Sequence, residues 1–96
     1  MKNFVLILHP FPEEIQDIVF GIAEFDVKRQ CYKIVIDSTR DEETQTRTLK
    51  HELSHILLGH HDQLGRDLES VEAEADQYAA QMTDEEFEEL MSYRIS

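Results

Sequence analysis

Hydrophobic residues fall along this chain in two rhythms, and the change between them comes near Ser38. Before it the spacing is that of strands. Residues 3–9 (N-F-V-L-I-L-H) are an apolar run too short for a stable helix, closed by Pro10 and Pro12, which cannot extend a hydrogen-bonded ladder. They predict a mostly buried strand. Residues 12–17 are ambiguous, with Pro12 suited to the first position of a helical turn. Over residues 18–27, β-branched and aromatic side chains lead into an alternation of Glu24 and Asp26 with Phe25 and Val27, a second strand. Lys28, Arg29 and Gln30 make a polar turn. Residues 32–37 (Y-K-I-V-I-D) then give the clearest strand, with Tyr32, Ile34 and Ile36 on one face. Two strands joined by so short a turn predict an antiparallel hairpin, with the N-terminal strand beside it.

From Ser38 onward the period is nearly four. Asp41 is placed to cap a helix whose first turn carries Glu42 and Glu43, where the helix macrodipole favours negative charge. Leu49, Leu53, Ile56 and Leu57 form a stripe for packing on the sheet, and His51, Glu52 and His55 lie on an adjoining face. This helix is expected to reach about His60, with Gly59 as its stop. After a polar linker at 60–67, a second helix is expected over 68–82, with Val71, Ala75, Tyr78, Ala79 and Met82 as its apolar side. The run Thr83-Asp84-Glu85-Glu86 reads as a capping box that opens a short last helix to about Tyr93, burying Phe87, Leu90 and Met91. The expected fold is α+β: a small antiparallel sheet of about three strands packed on the long helix, plus two C-terminal helices, in one domain over residues 1–96.

Composition narrows the function. At 96 residues all elements must share one core, and 41% hydrophobic content is enough to form it. With 21 acidic against 9 basic residues the net charge is −12, which disfavours direct binding to a nucleic-acid backbone. The acidic runs at 41–43 and 84–89 read as solvated helix surface. Cys31, the sole cysteine, cannot form an internal disulfide and reads as a small apolar strand residue. That fits a reducing, cytoplasmic compartment. No signal-like cleavage site follows the N-terminal apolar run, and no stretch approaches the roughly 18 apolar residues that cross a membrane.

The chemistry concentrates at His51-Glu52-Leu53-Ser54-His55, an H-E-x-x-H run. On a helix, residues four apart share a face, so both imidazoles can reach one point in space, a good start on a tetrahedral Zn²⁺ site. Glu52 is then placed as general base, to take a proton from the attacking water. A third protein ligand is needed. Glu72 stands first: Glu72 and Asp76 are again four apart, so one carboxylate could bind metal while the other accepts the distal N–H of His51. Glu74 lies on another side of that helix. His61 is ten residues beyond His51, where related motifs carry a third histidine, but the required Gly would fall at Leu58 and here comes one place late, at Gly59. His60 ranks with His61, and both are otherwise expected to cap the last carbonyls of the long helix.

The run Thr48-Leu49-Lys50-His51-Glu52-Leu53-Ser54-His55-Ile56-Leu57-Leu58-Gly59-His60 resembles the ImmA/IrrE family of zinc metallopeptidases. So does Glu72-Ala73-Glu74-Ala75-Asp76-Gln77-Tyr78-Ala79-Ala80, and the strand ending Ile34-Val35-Ile36-Asp37-Ser38 fits the same family. The likeness covers roughly residues 32–82. It implies a minimal zincin-like fold, gluzincin in its ligand set, with zinc on His51, His55 and Glu72 and with Glu52 as the base. It also implies a protein substrate, a helix-turn-helix repressor that is cut or inactivated. The alternative is a non-catalytic zinc-binding regulatory or interaction module of a mobile element, its metal mainly stabilising a small fold. Glu52 speaks against that alternative, because a purely structural site has no use for a base.

Overall fold

A computed structural model describes residues 2–63 and 65–95. Strands β1 (Phe4–His9), β2 (Gly21–Asp26) and β3 (Cys31–Asp37) come first, then helix α1 (Glu42–Leu57). A 3₁₀ turn (His60–Asp62), helices α2 (Leu68–Gln81) and α3 (Asp84–Met91), and a two-residue strand β4 (Arg94–Ile95) complete the order. The architecture is α+β and compatible with a minimal zincin-like domain. Among the described residues, no helix is long and apolar enough to cross a membrane.

The sheet departs from the expected one in two ways. Its order is β2-β3-β1-β4, with four strands rather than about three. It is also mixed: β2 and β3 form the antiparallel hairpin, Gly21 opposite Ile36 and Asp26 opposite Cys31, but β1 runs parallel to β3 and β4 parallel to β1. The cause lies at the ends of β1 and β3. Residues 10–20 cross at that end from β1, past β3, to the start of β2; β2 then runs back and β3 returns, so β1 and β3 finish at the same end of the sheet. Asp37 joins them there. Its Oδ1 accepts the N–H of Phe11 at 3.2 Å, the N–H of Thr39 at 3.0 Å and the Thr39 hydroxyl at 2.8 Å. The Ser38 N–H donates to the carbonyl of His9 at 3.1 Å. Asp37 is wholly buried, with Arg40 Nε 3.4 Å from its Oδ2. Burial alone would push its carboxyl up; the hydrogen bonds from Thr39 and Phe11 and the Arg40 charge outweigh it and hold the pKa below the ordinary value.

The core sits between sheet and helices. Phe4, Ile34 and Ile36 face Leu49, Leu53 and Ile56 of α1, and Met82 and Leu90 close the far side. Leu53 is completely buried, a contribution of about 1.5–3 kcal/mol by area. At the start of β2 the helix comes so close that a Cβ on Gly21 would lie 2.6 Å from Cγ2 of Thr48. This approach brings the polar face of α1 against the leading end of β2. The buried Ala75 lets α2 pack along α1. At α3 the capping box is half realised: Thr83 Oγ1 accepts the Glu86 N–H at 3.1 Å, while the Glu86 carboxylate accepts the Tyr78 hydroxyl at 2.7 Å.

Candidate metal centre

His51 and His55 project from successive turns of α1, and Glu72 reaches them from α2. One possible ligand atom from each lies within 4.8 Å of the others, and this is the group of metal-ligating side chains found among the described residues. The Nε2 atoms of the two histidines are 3.0 Å apart. The Glu72 carboxylate straddles them, Oε2 at 3.0 Å from His51 Nε2 and Oε1 at 3.1 Å from His55 Nε2. A tetrahedral ion with ligands at about 2.0 Å would set them about 3.3 Å apart, so the three groups already occupy nearly one face of such a site.

The hydrogen bonding makes the case more sharply than the distances. Asp76 Oδ1 stands 2.7 Å from His51 Nδ1. A carboxylate only accepts, so His51 Nδ1 carries a proton, and in the neutral ring Nε2 is left with a bare lone pair. That lone pair faces the carboxylate of Glu72 and the Nε2 of His55. Such a cluster repels itself unless a proton or a cation sits within it, and the donor set of two imidazoles and a carboxylate suits a divalent transition metal. Burial holds the His55 imidazole below the usual histidine range, with Glu72 pulling the other way and His51 adding to the lowering. A neutral imidazole is the form that binds metal.

Glu52 lies beside this cluster, only 8% exposed. Burial pushes its carboxyl up to about 7, with His51 opposing and Glu72 reinforcing the shift. It opens on a cleft of about 780 Å³, bordered on one side by His51, Glu52 and Glu72 and on the other by Ile18, Phe20 and Gly21. A buried acid poised near neutrality at the mouth of a cleft is suited to exchange protons with a bound molecule.

The remaining candidates go elsewhere. Glu74 does not enter the cluster; its Oε1 lies 3.0 Å from His60 Nε2 and 2.7 Å from Arg66 Nη1. His61 turns to β2, Nε2 at 3.2 Å from the Ala23 carbonyl, its ring against Tyr32. Neither His60 nor His61 caps α1, contrary to expectation. Gly59, in the left-handed region at φ 70°, folds the chain back along the helix, and the Leu58 carbonyl is taken by the Gln63 side chain at 2.9 Å. His60 thereby lands on His55, Nδ1 to Nδ1 at 2.8 Å. Sequence reasoning missed this His55–His60–Glu74 chain. The only available signal was a histidine just past the helix-stopping glycine, and helical geometry cannot place a residue beyond a left-handed turn.

A mixed-sheet α+β fold of zincin-like build, with a His-His-Glu group that could bind a metal where α1 meets α2, defines the class as metallopeptidase-like. The sequence profile of the IrrE N-terminal-like domain matches residues 13–96, and the chain belongs to that peptidase family. Comparison with curated proteins and with solved structures returns no match.

Proposed function

We propose that residues 1–96 form a single zinc-dependent endopeptidase domain of the ImmA/IrrE type, acting on a protein substrate in the cytoplasm, with a helix-turn-helix repressor as the substrate class. The observation that carries the reading is the convergence of His51, His55 and Glu72 beside a buried Glu52 at an open cleft. The family supports a peptidase, and the motif resemblance supports the repressor. The net charge of −12 supports recognition of the regulator's protein surface rather than of its DNA.

In this reading His51, His55 and Glu72 hold the zinc, which when bound supplies Lewis acidity and a more acidic water. Asp76 fixes the tautomer and orientation of His51. Glu52 removes the proton of the attacking water and returns a proton to the leaving amine. The low exposure of Glu52 keeps it undersolvated, so its proton affinity matches neutral pH. β2 is an edge strand, and its first residue, Gly21, lines the cleft together with residues 18–20 before it, so an extended substrate segment can lie against this edge and pair through main-chain groups. Exposed Ile18 and Phe20 offer that segment apolar contact.

The test is metal analysis of the purified protein, followed by incubation with a helix-turn-helix repressor, with and without chelator. Zinc at one equivalent and chelator-sensitive cleavage are expected. Glu52→Gln should retain the metal and lose cleavage by at least about 100-fold, the low end of what a positioned base contributes. A zinc-loaded Glu52→Gln protein that still cuts as the wild type does would refute the base; loaded wild type that never cuts would favour the binding module.

A further inference from the structure

We propose that His60 and Glu74 are a positioning pair that sets the tautomer of His55 for metal binding, a second arm matching the Asp76 contact to His51. The inference rests on the metal-site reading of His51, His55 and Glu72. Glu74 Oε1 accepts from Arg66 Nη1 at 2.7 Å and stands 3.0 Å from His60 Nε2. A carboxylate has no proton to give, so His60 carries its proton on Nε2 and donates it to Glu74. In a neutral imidazole the other nitrogen is then an acceptor. His60 Nδ1 faces His55 Nδ1 at 2.8 Å, so His55 carries its proton on Nδ1 and donates it to His60. On the metal-site reading the ion takes the place of a proton between His55 Nε2, Glu72 Oε1 and His51 Nε2, so the neutral His55 ring is bare at Nε2.

Both ligand imidazoles are thus locked in the same sense by carboxylates on α2, one directly and one through a bridging ring. The two arms differ in exposure. The Asp76 side chain is 75% exposed, whereas in the other arm Glu74 is 46% exposed and the bridging His60 only 5%, so the contact that reaches His55 is the better shielded from competing water. The bridge crosses three segments: α1, the turn that follows Gly59, and α2. Were the protons reversed, His60 would donate to His55, His55 Nε2 would carry hydrogen, and the position could not ligate.

Zinc affinity is measured by competition with a chromogenic chelator, and ring-nitrogen NMR of the zinc-loaded wild type assigns the tautomers. His60→Ala should weaken zinc binding by about 10–100-fold. His60→Asn, whose amide oxygen can stand near the former Nδ1 and accept from His55, should recover most of that loss. Glu74→Ala should fall between them. His61→Ala, which alters a neighbouring ring directed at Ala23, should bind as wild type. The spectra should show His55 protonated at Nδ1 and His60 at Nε2; this readout stands even if His60→Ala does not fold. Wild-type affinity in His60→Ala, no rescue by Asn, or a proton on His60 Nδ1 overturns the proposal while leaving the metal site intact. Wild type that binds no zinc overturns the site reading itself.

Discussion

Replacing Gly21 with Ala probes the contact that brings α1 against the mouth of the cleft. The added Cβ would stand 2.6 Å from Thr48 Cγ2, 3.0 Å from Ile36 Cδ1 and 3.3 Å from the Val35 carbonyl oxygen. Ile36 can yield, because Cδ1 is the end of a flexible chain. Thr48 cannot yield easily: it is β-branched on a helix, and its hydroxyl donates to the Thr44 carbonyl at 2.8 Å. The helix must therefore shift. Overpacking of this kind costs about 1–3 kcal/mol. Alanine's smaller unfolded-state entropy offsets about 0.4–1 kcal/mol, leaving a net loss of about 0–2.6 kcal/mol. Urea unfolding followed by circular dichroism measures it, with an unchanged m-value as the check on a common unfolded state. Thr48→Ser deletes Cγ2 and keeps the hydroxyl. In the double variant it should return most of the loss, a coupling of about 0.5–2 kcal/mol. A Gly21→Ala protein whose stability relative to wild type is unchanged by adding Thr48→Ser, beyond the effect of Thr48→Ser alone, would show that β2 and α1 do not meet as described.

Two further outcomes follow from the centre. Asp76→Ala should weaken zinc binding by about 10–100-fold without unfolding the chain, measured by equilibrium dialysis, since the carboxylate is mostly exposed and its partner is a ligand imidazole. Glu52→Gln should stabilise the metal-free protein at alkaline pH. The folded pKa of Glu52 is raised from 4.5 to about 7, so the unfolded chain loses this proton first, and stability present below pH 4.5 is lost as the pH rises through 7. The full difference is roughly 3 kcal/mol, and melting of both proteins in chelator at pH 5 and pH 8 should show the gap between them widening with pH. A gap independent of pH would mean that Glu52 is not held in a poorly solvated place.

Much of the fold was legible because its elements are short and strongly periodic. The alternation through Tyr32, Ile34 and Ile36, the stripe of Leu49, Leu53 and Ile56, and the cap at Thr83 each depend on local geometry that spacing encodes. The direction of β1 was not legible. An apolar strand reads the same whichever neighbour it pairs with, and its orientation follows from the buried Asp37 collecting Phe11 and Thr39, a contact between distant residues. β4 escaped notice because two residues carry no period. At the centre, spacing brought forward His51 with His55 and Glu72 with Asp76, since the members of each pair lie four apart on their own helix; the meeting of the two helices came from the packing of α2 on α1. His60 was misplaced because the expected helix-end cap ignored the backward turn at Gly59.

The pairing of β4 with the beginning of β1 has a practical side. Phe4 lies opposite Arg94, and its N–H donates to the Tyr93 carbonyl at 3.1 Å, so residues near both ends of the described chain share one margin of the sheet. At about 4.8 Å per strand, that margin is roughly 14 Å from β2 across the sheet. Labels placed on this margin, at Arg94 for instance, therefore sit on the flank of the sheet away from the β2 side that borders the cleft.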